Sequence, residues 1–372
     1  MFDFKNLTRD EIERHSVDMR QFIQFQRTTL PSGMRVVEAH NSSGLTFTVM
    51  LDRGLDIWQA HYKGIPLTWI SQGSPHLPDF GQNFLQQFNG GLLTTCGLTH
   101  VGPPEHDDQT GEFRDLHGRY SRQRAENVQI LPVWMKDKNN DKEYYTLELS
   151  GLVAESTLFK EQLRLERTYF MTMGRPEIDI FDKVTNVGDT PAPLMLLYHF
   201  NLGFPLVSKG AKLYTPNQAV YPRTDVARSG LSTWADYDEA TPCYEEQVFF
   251  HHVKTARNST HSEVALLHED FGLSLSWDTP MMPYFTQWKN TRQGVYVSGI
   301  EPGNCIPEGQ MAARQQGRLV YIEPGRDHAH RFHSRLTILD GVEAVTDCQR
   351  RIDSMQQNGV PVANVNLTGY TP

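Results

Sequence analysis

Ile178-Asp179-Ile180-Phe181-Asp182-Lys183-Val184-Thr185 runs directly into Asn186-Val187-Gly188-Asp189, and an apolar stretch follows at 194–200. The first run alternates between two faces with a period of two, as a strand does. The Asn-Val-Gly-Asp stretch is a turn signal, and 194–200 reads as a second, apolar strand. Working outward, the same texture recurs. Leu45-Thr46-Phe47-Thr48-Val49-Met50-Leu51 alternates, as do 144–152 and 163–169. Further strands are expected at 246–253, 263–267, 273–277, 284–288, 294–300, 317–322 and 328–339. Many short strands between Gly, Pro and Asn, with few helices and no βαβ rhythm, predict an all-β chain of antiparallel sheets packed face to face or closed on themselves.

One short helix is expected near the start, where Thr8 and Glu11 have capping-box spacing. Residues 1–25 then read as a helical extension and 26–372 as a single domain, a length that all-β folds sustain as one unit. Two polar stretches, 102–115 and 135–142, read as loops, and loops of that length in a compact domain often cover a site. Hydrophobic residues make up 38% of the chain, which excludes a disordered composition. With 44 acidic against 35 basic residues the net charge is −9, a balance that argues against a nucleic-acid binder, which would need a basic face. Cys96, Cys243, Cys305 and Cys348 are widely spaced and form no metal or redox motif, so free thiols in a reducing cytoplasm are expected. Neither a signal peptide nor a membrane span is read from the sequence. The oligomeric state is left open.

Three segments combine residue types suited to proton transfer. They are Asp115-Leu116-His117-Gly118-Arg119, Leu197-Tyr198-His199-Phe200-Asn201-Leu202-Gly203 and Gly299-Ile300-Glu301-Pro302-Gly303-Asn304. Even spacing puts His199 and Asn201 on one strand face, and Glu301 ends a strand before Pro-Gly. Taken singly, each has a plainer reading: His199 as a satisfied core histidine, Glu301 as a solvated turn residue.

Taken in order, the segments resemble the aldose 1-epimerase (galactose mutarotase) superfamily. Leu116-His117-Gly118-Arg119 resembles its Leu-His-Gly-Gly segment. Val184-Thr185-Asn186-Val187-Gly188-Asp189, leading into Tyr198-His199-Phe200-Asn201-Leu202, resembles its Thr-Asn turn and Asn-His-x-Tyr-Phe-Asn-Leu motif. Tyr284-Phe285-Thr286-Gln287 ahead of Gly299-Ile300-Glu301-Pro302 resembles its Tyr-Thr strand and Gly-x-x-x-Glu-Pro. A less characterised bacterial branch is matched more fully, by Leu51-Asp52-Arg53-Gly54-Leu55-Asp56-Ile57, by Gly90-Gly91-Leu92-Leu93-Thr94-Thr95-Cys96-Gly97-Leu98 and by Glu301-Pro302-Gly303-Asn304-Cys305-Ile306-Pro307-Glu308-Gly309.

The resemblance implies a large antiparallel β-sandwich of the galactose mutarotase type and a free monosaccharide as ligand. It implies no cofactor and no metal. His199 would be the general acid at the ring oxygen, Glu301 the general base at the anomeric hydroxyl, and His117 a sugar-binding residue. Imidazole and carboxylate are expected on opposite sides of the sugar, across a hollow the width of a pyranose. There are departures. His199 adjoins Phe200 directly, an Asp that binds sugar hydroxyls is missing from Val248-Phe249-Phe250-His251-His252, and Thr94-Thr95-Cys96-Gly97 stands where an Asn-Arg pair is usual. They bear on sugar preference more than on acid–base chemistry.

Other side chains have two readings each. Arg53 either reaches the site or forms a buried turn ion pair with Asp52 or Asp56. His100 and Arg119 line one wall or serve structure. Gln287 and Lys289, on one strand face, point at the sugar or at solvent. Asn304 binds ligand or caps the Pro-Gly turn, and Asn201 accompanies His199. Trp69, Trp277 and Trp288 offer stacking faces or core. His251 and His252 point to opposite faces, which disfavours a shared metal with His261. Two rival functions stay open. One is epimerisation or isomerisation at another carbon of a keto or acidic sugar, prompted by the missing Asp and by Arg53 and Arg119. The other is a sugar-binding or sensing protein without turnover.

Overall fold

The alternation at Glu177–Asn186 buries Ile178, Ile180, Asp182 and Val184 on one face, and the strand has a paired neighbour on each side. The computed structural model describes residues 3–73, 75–108, 111–136, 142–362, 367 and 370. In it Glu177–Asn186 belongs to an eight-stranded sheet in the order Lys212–Tyr214, His261–Leu267, Phe271–Asp278, His330–Asp340, Glu177–Asn186, Gln162–Thr172, Glu143–Ser156, Ala125–Lys136. A second sheet runs Asn217–Pro222, Gln247–Thr255, Tyr284–Arg292, Val295–Gly303, Ala192–Gly203, Val320–Ile322, and Leu93–Leu98 also pairs with Ala192–Gly203. A third is a meander of five consecutive strands from Ile23–Thr29 to Ile65–Pro66. Pairing between neighbouring strands is antiparallel, as in Phe200↔Ile300 and Ile180↔Ser334.

One apolar core joins the sheets. Leu149, Leu165 and Ile180 share it with Tyr198, Phe200, Phe250 and Phe285 from the second sheet and Phe47, Val49 and Ile57 from the third. Hydrophobic burial of this kind is the main stabilising term. All twelve residues of Ala192–Gly203 are buried, because neighbours cover both edges and both faces. The expected all-β sandwich is the observed architecture.

Within this apolar interior sits one cluster of charge. Arg167 is fully buried; its Nη1 donates to Asp56 Oδ1 at 2.7 Å and its Nη2 to Asp182 Oδ2 at 2.6 Å. Tyr198 Oη donates to Asp182 at 2.6 Å and Thr95 Oγ1 to Asp56 at 2.6 Å. The cluster ties the meander to both large sheets, directly behind the strand that carries His199. The Leu51–Ile57 motif is therefore structural in two of its acids: Asp56 meets Arg167 and Asp52 meets Arg35.

Helices differ from expectation at the C-terminal end. Arg9–His15 forms as read, with Glu11 N donating to Thr8 Oγ1 and Thr8 N donating to Glu11 Oε2. The longer helix Val342–Asn358 was not anticipated. It buries only Val345, Cys348 and Ile352, against Ala265, Leu267 and Leu339. So narrow an apolar stripe among charged residues carries little periodic signal. The 102–115 stretch is not simply a loop. Glu105–Asp107 pairs with Glu112–Arg114, and Arg114 reaches Glu105, Asp107 and Glu112, so charge pairs rather than hydrophobic alternation hold the hairpin. Residues 109–110, and 137–141 of the other expected loop, lie outside the described residues. The four cysteines are free, and no helix among the described residues is long and apolar enough to cross a membrane.

Candidate active site

His199 and Glu301 come from adjacent strands. The pairing of Phe200 with Ile300 and of Leu197 with Gly303 makes the two residues direct cross-strand neighbours. Their side chains lie on the same face, with His199 Nε2 at 3.1 Å from Glu301 Oε1. This corrects the expected layout: acid and base do not face each other across a hollow but sit side by side in one wall. Gly299, two residues before Glu301 on the same face, makes room for it. A Cβ at Gly299 would lie 2.2 Å from Glu301 Oε1 and 2.9 Å from Trp288 Cβ. A glycine inside a strand commonly marks such a close approach.

His117 arrives from a separate turn. Gly97 N donates to His117 O, His117 N to Gly102 O and Arg119 N to Gly97 O. His117 itself adopts a left-handed backbone at φ 57°, a conformation that residues other than glycine rarely hold without local support. Gly118 follows at φ 76°, and a Cβ there would meet Gly97 O at 2.4 Å. Only glycine lets the turn press this closely against the strand end. The result is a His117 ring edge-on to His199, with centroids 6.0 Å apart.

These three residues line a cavity of about 280 Å³ together with Phe84, Phe88, Arg223, Glu246, Thr286 and Trp288. That is near the lower end of the ~300–1,000 Å³ typical of small-molecule sites. Phe84 stacks on Phe88 at 5.0 Å, and Trp288 meets His199 edge-on at 5.4 Å. His117 Nδ1, His199 Nδ1, Thr286 Oγ1 and Glu301 Oε1 are all buried without a hydrogen-bond partner in the protein. Buried polar atoms are almost always satisfied, so four unpartnered ones on residues that line one cavity are unusual.

Burial sets the charge of this wall. It pushes Glu301 well above the ordinary carboxylate range, helped by Glu246 and opposed by Arg223. It pushes His199 down to about 4, and His117 well below its ordinary value with the neighbouring His199 acting in the same direction. Burial thus disfavours an ion pair at the 3.1 Å contact and favours its neutral form.

The other expected residues lie elsewhere. Arg53 takes neither of its two readings. Its Nε donates to His76 O at 2.9 Å and its Nη2 to Gln87 Oε1 at 3.2 Å, pinning the loop whose Phe84 and Phe88 wall the cavity. His100 contacts Pro103 O through Nε2 at 2.9 Å, and with Arg119 it lines a separate cavity of about 440 Å³. Arg119 donates to Thr157 Oγ1. Asn201 donates to Gly91 O and His199 O. On Tyr284–Arg292, Thr286 and Trp288 face the cavity, so Gln287 and Lys289 face the opposite way. They hold the 233–237 loop through Trp234 O, Thr233 O and Asp236 O. Of the tryptophans, Trp288 lines the cavity, Trp69 backs it edge-on at 6.0 Å and Trp277 is core.

Asn304 is a brace. Leu196 N donates to its Oδ1 at 2.7 Å and its Nδ2 donates to Leu194 O at 2.9 Å, all buried. Asn304→Ala should lower unfolding stability by about 1–3 kcal/mol, the usual cost of stranding buried backbone groups. Urea denaturation measures it, and a loss within error would show that the brace is dispensable.

Arg223 and Glu246 were not singled out from the sequence. Arg223 follows the end of Asn217–Pro222, and Glu246 immediately precedes Gln247–Thr255. Neither stands in a matched motif. The one available cue was position: Glu246 puts a carboxylate at the strand start where the superfamily's Asp was missed, two residues before Val248.

The described geometry has relatives. A candidate aldose 1-epimerase from Klebsiella pneumoniae superposes with a TM-score of 0.80 at 25% identity, over 90% of this chain and 88% of that one. A galactose mutarotase-like protein from Clostridium acetobutylicum superposes at 0.57 with 11% identity, over 86% and 99%. The galactose 1-epimerase of Lactobacillus acidophilus does so at 0.54 with 13% identity, over 86% and 99%. The last two speak for the fold alone. No curated protein sequence matches the chain. Residues 31–336 match the family model described as a domain of unknown function, DUF4432. The chain therefore belongs to the DUF4432 family, a branch of the aldose 1-epimerase (galactose mutarotase)-like superfamily.

Proposed function

We propose that this protein interconverts the anomers of a free monosaccharide, with His199 as general acid and Glu301 as general base. The observation that carries the reading is their 3.1 Å approach in the wall of a sugar-sized cavity. Ring oxygen and anomeric hydroxyl are bonded to the same carbon, so an acid and a base that touch can serve both. Glu301 takes the hydroxyl proton, His199 gives a proton to the ring oxygen, and the bond between the anomeric carbon and the ring oxygen breaks. The open-chain carbonyl rotates and recloses with both transfers reversed. Two protons move and no electrons do, so the pair is chemically sufficient.

The starting imidazolium–carboxylate form and the neutral form contain the same single proton. Passage of that proton across the contact prepares the pair, and ring opening returns it to the neutral form that burial favours. Phe84, Phe88 and Trp288 supply apolar faces for the ring carbons.

The test is anomer exchange measured by NMR over a panel of aldoses and their acid and phosphate derivatives, against the uncatalysed rate. Exchange above background is expected, with kcat/KM reporting the free protein's ionisations. The active pair holds one proton. It gains a second as pH falls through about 4, where His199 charges, and loses its only one above the ordinary carboxylate range, where Glu301 ionises. A flat profile at the background rate for every sugar would sink the reading. Linkage has the same sign for folding. His199 is depressed from 6.5 to about 4, so its contribution is present above pH 6.5 and lost as pH falls through about 4.

A further inference from the structure

We infer that the ligand is an anionic sugar whose carboxylate or phosphate pairs with Arg223 while its hydroxyls reach Glu246; this rests on the monosaccharide reading above. Arg223 is held on both sides. Its backbone N donates to Val248 O at 2.9 Å, and the next residue, Thr224, caps Asp225–Ser229 by accepting from Ala227 N. The side chain between these anchors lines the cavity. Among the described residues no carboxylate lies within ion-pair distance of it and no acceptor takes its guanidinium protons.

Other arginines near the cavity are used internally. Arg53 serves His76 and Gln87, Arg122 serves Gln82, Gly118 and Asp115, and Arg318 pairs with Glu308. Arg223 alone of these presents a free planar fork, the geometry that binds a carboxylate or phosphate by two parallel hydrogen bonds. Glu246 does not neutralise it. Its Oε2 accepts from Trp288 Nε1 at 2.7 Å, which aims the carboxylate along the same wall. A cation and a carboxylate that share a cavity without meeting suit a ligand with one anionic end and several hydroxyls. Burial disfavours the charged forms of His117, His199 and Glu301 on the rest of the wall. Arg53 and Arg119, which first suggested an acidic sugar, do not line this cavity.

The experiment compares wild-type kcat/KM for hexuronates, hexose 6-phosphates and the corresponding neutral hexoses. One anionic series should exceed the neutral sugars by about 10–100-fold, the worth of a charge-assisted hydrogen bond. Which series does so separates carboxylate from phosphate. Arg223→Leu should bring the ratio close to one, mainly through KM, and Arg223→Lys should retain part of it. Arg228→Leu, on the exposed face of Asp225–Ser229 and paired with Asp225, should leave the ratio as in wild type. Neutral hexoses exchanged as well as both anions, or a preference that survives Arg223→Leu, would overturn the inference. If no sugar is exchanged, calorimetry with the same compounds decides. Anion binding that depends on Arg223 upholds the inference while the mutarotase reading falls, and no binding of either anion removes it.

Discussion

Glu301→Gln should slow anomer exchange by about 10²–10⁴-fold, the contribution of a positioned acid–base group, while the protein stays folded. The substitution is nearly isosteric in a place where shape matters, since Glu301 is packed against Gly299 and beside His199. Burial pushes the carboxyl well above the ordinary carboxylate range, toward its neutral form, and a neutral amide strands no new charge. Stability should therefore change by less than about 1.5 kcal/mol, within the range of volume-conserving swaps. Chemistry should not survive, because an amide cannot accept the anomeric proton. Exchange spectroscopy on the best substrate, with thermal unfolding alongside, checks both halves. A variant that exchanges anomers at the wild-type rate would remove Glu301 as the base.

Arg167→Met should cost about 3–5 kcal/mol of unfolding stability, as removal of one partner from a buried ion pair does. The side chain has no exposure, and its loss leaves Asp56 facing only neutral donors, the Thr95 amide and hydroxyl, and Asp182 facing the Tyr198 hydroxyl, in an apolar interior. Methionine fills much of the volume, so the penalty is electrostatic rather than a cavity effect. Adding Asp56→Asn and Asp182→Asn should recover part of the loss, because neutral amides tolerate the site better than unpaired carboxylates. Urea denaturation of the single and triple variants measures this coupling. A loss below about 1 kcal/mol in the single variant would mean the network contributes little to the fold.

Much of the sandwich was legible because strand burial follows period two. The run 178–185 alternates in sequence and in space, and Glu177–Asn186 extends it by only one residue at each end. The same run shows the limit. Asp182 lies on the apolar face, and nothing local reveals that Arg167, fifteen residues away in sequence, neutralises it there. The C-terminal helix escaped because three buried side chains suffice to dock it.

In the site, His117, His199 and Glu301 stood out through their matched segments, and the fold brings the three together. Alternation correctly put Gln287 and Lys289 on one face and Trp288 on the other. It was silent on which face met the cavity, and the facing strands assign Trp288 to it. Arg53 and Asn304 have the chemistry of ligand-binding residues but spend it on backbone carbonyls and amides.

By itself, then, the amino-acid order determined the strands, their antiparallel habit and the residue types able to move a proton. Period, turn chemistry and motif are local properties of the chain. The tertiary structure alone decided that His199 and Glu301 share a wall, that Arg223 and Glu246 join them, and that burial disfavours charge on the two buried side chains. Each of those follows from register and from the exclusion of water, and these exist only once distant segments have packed.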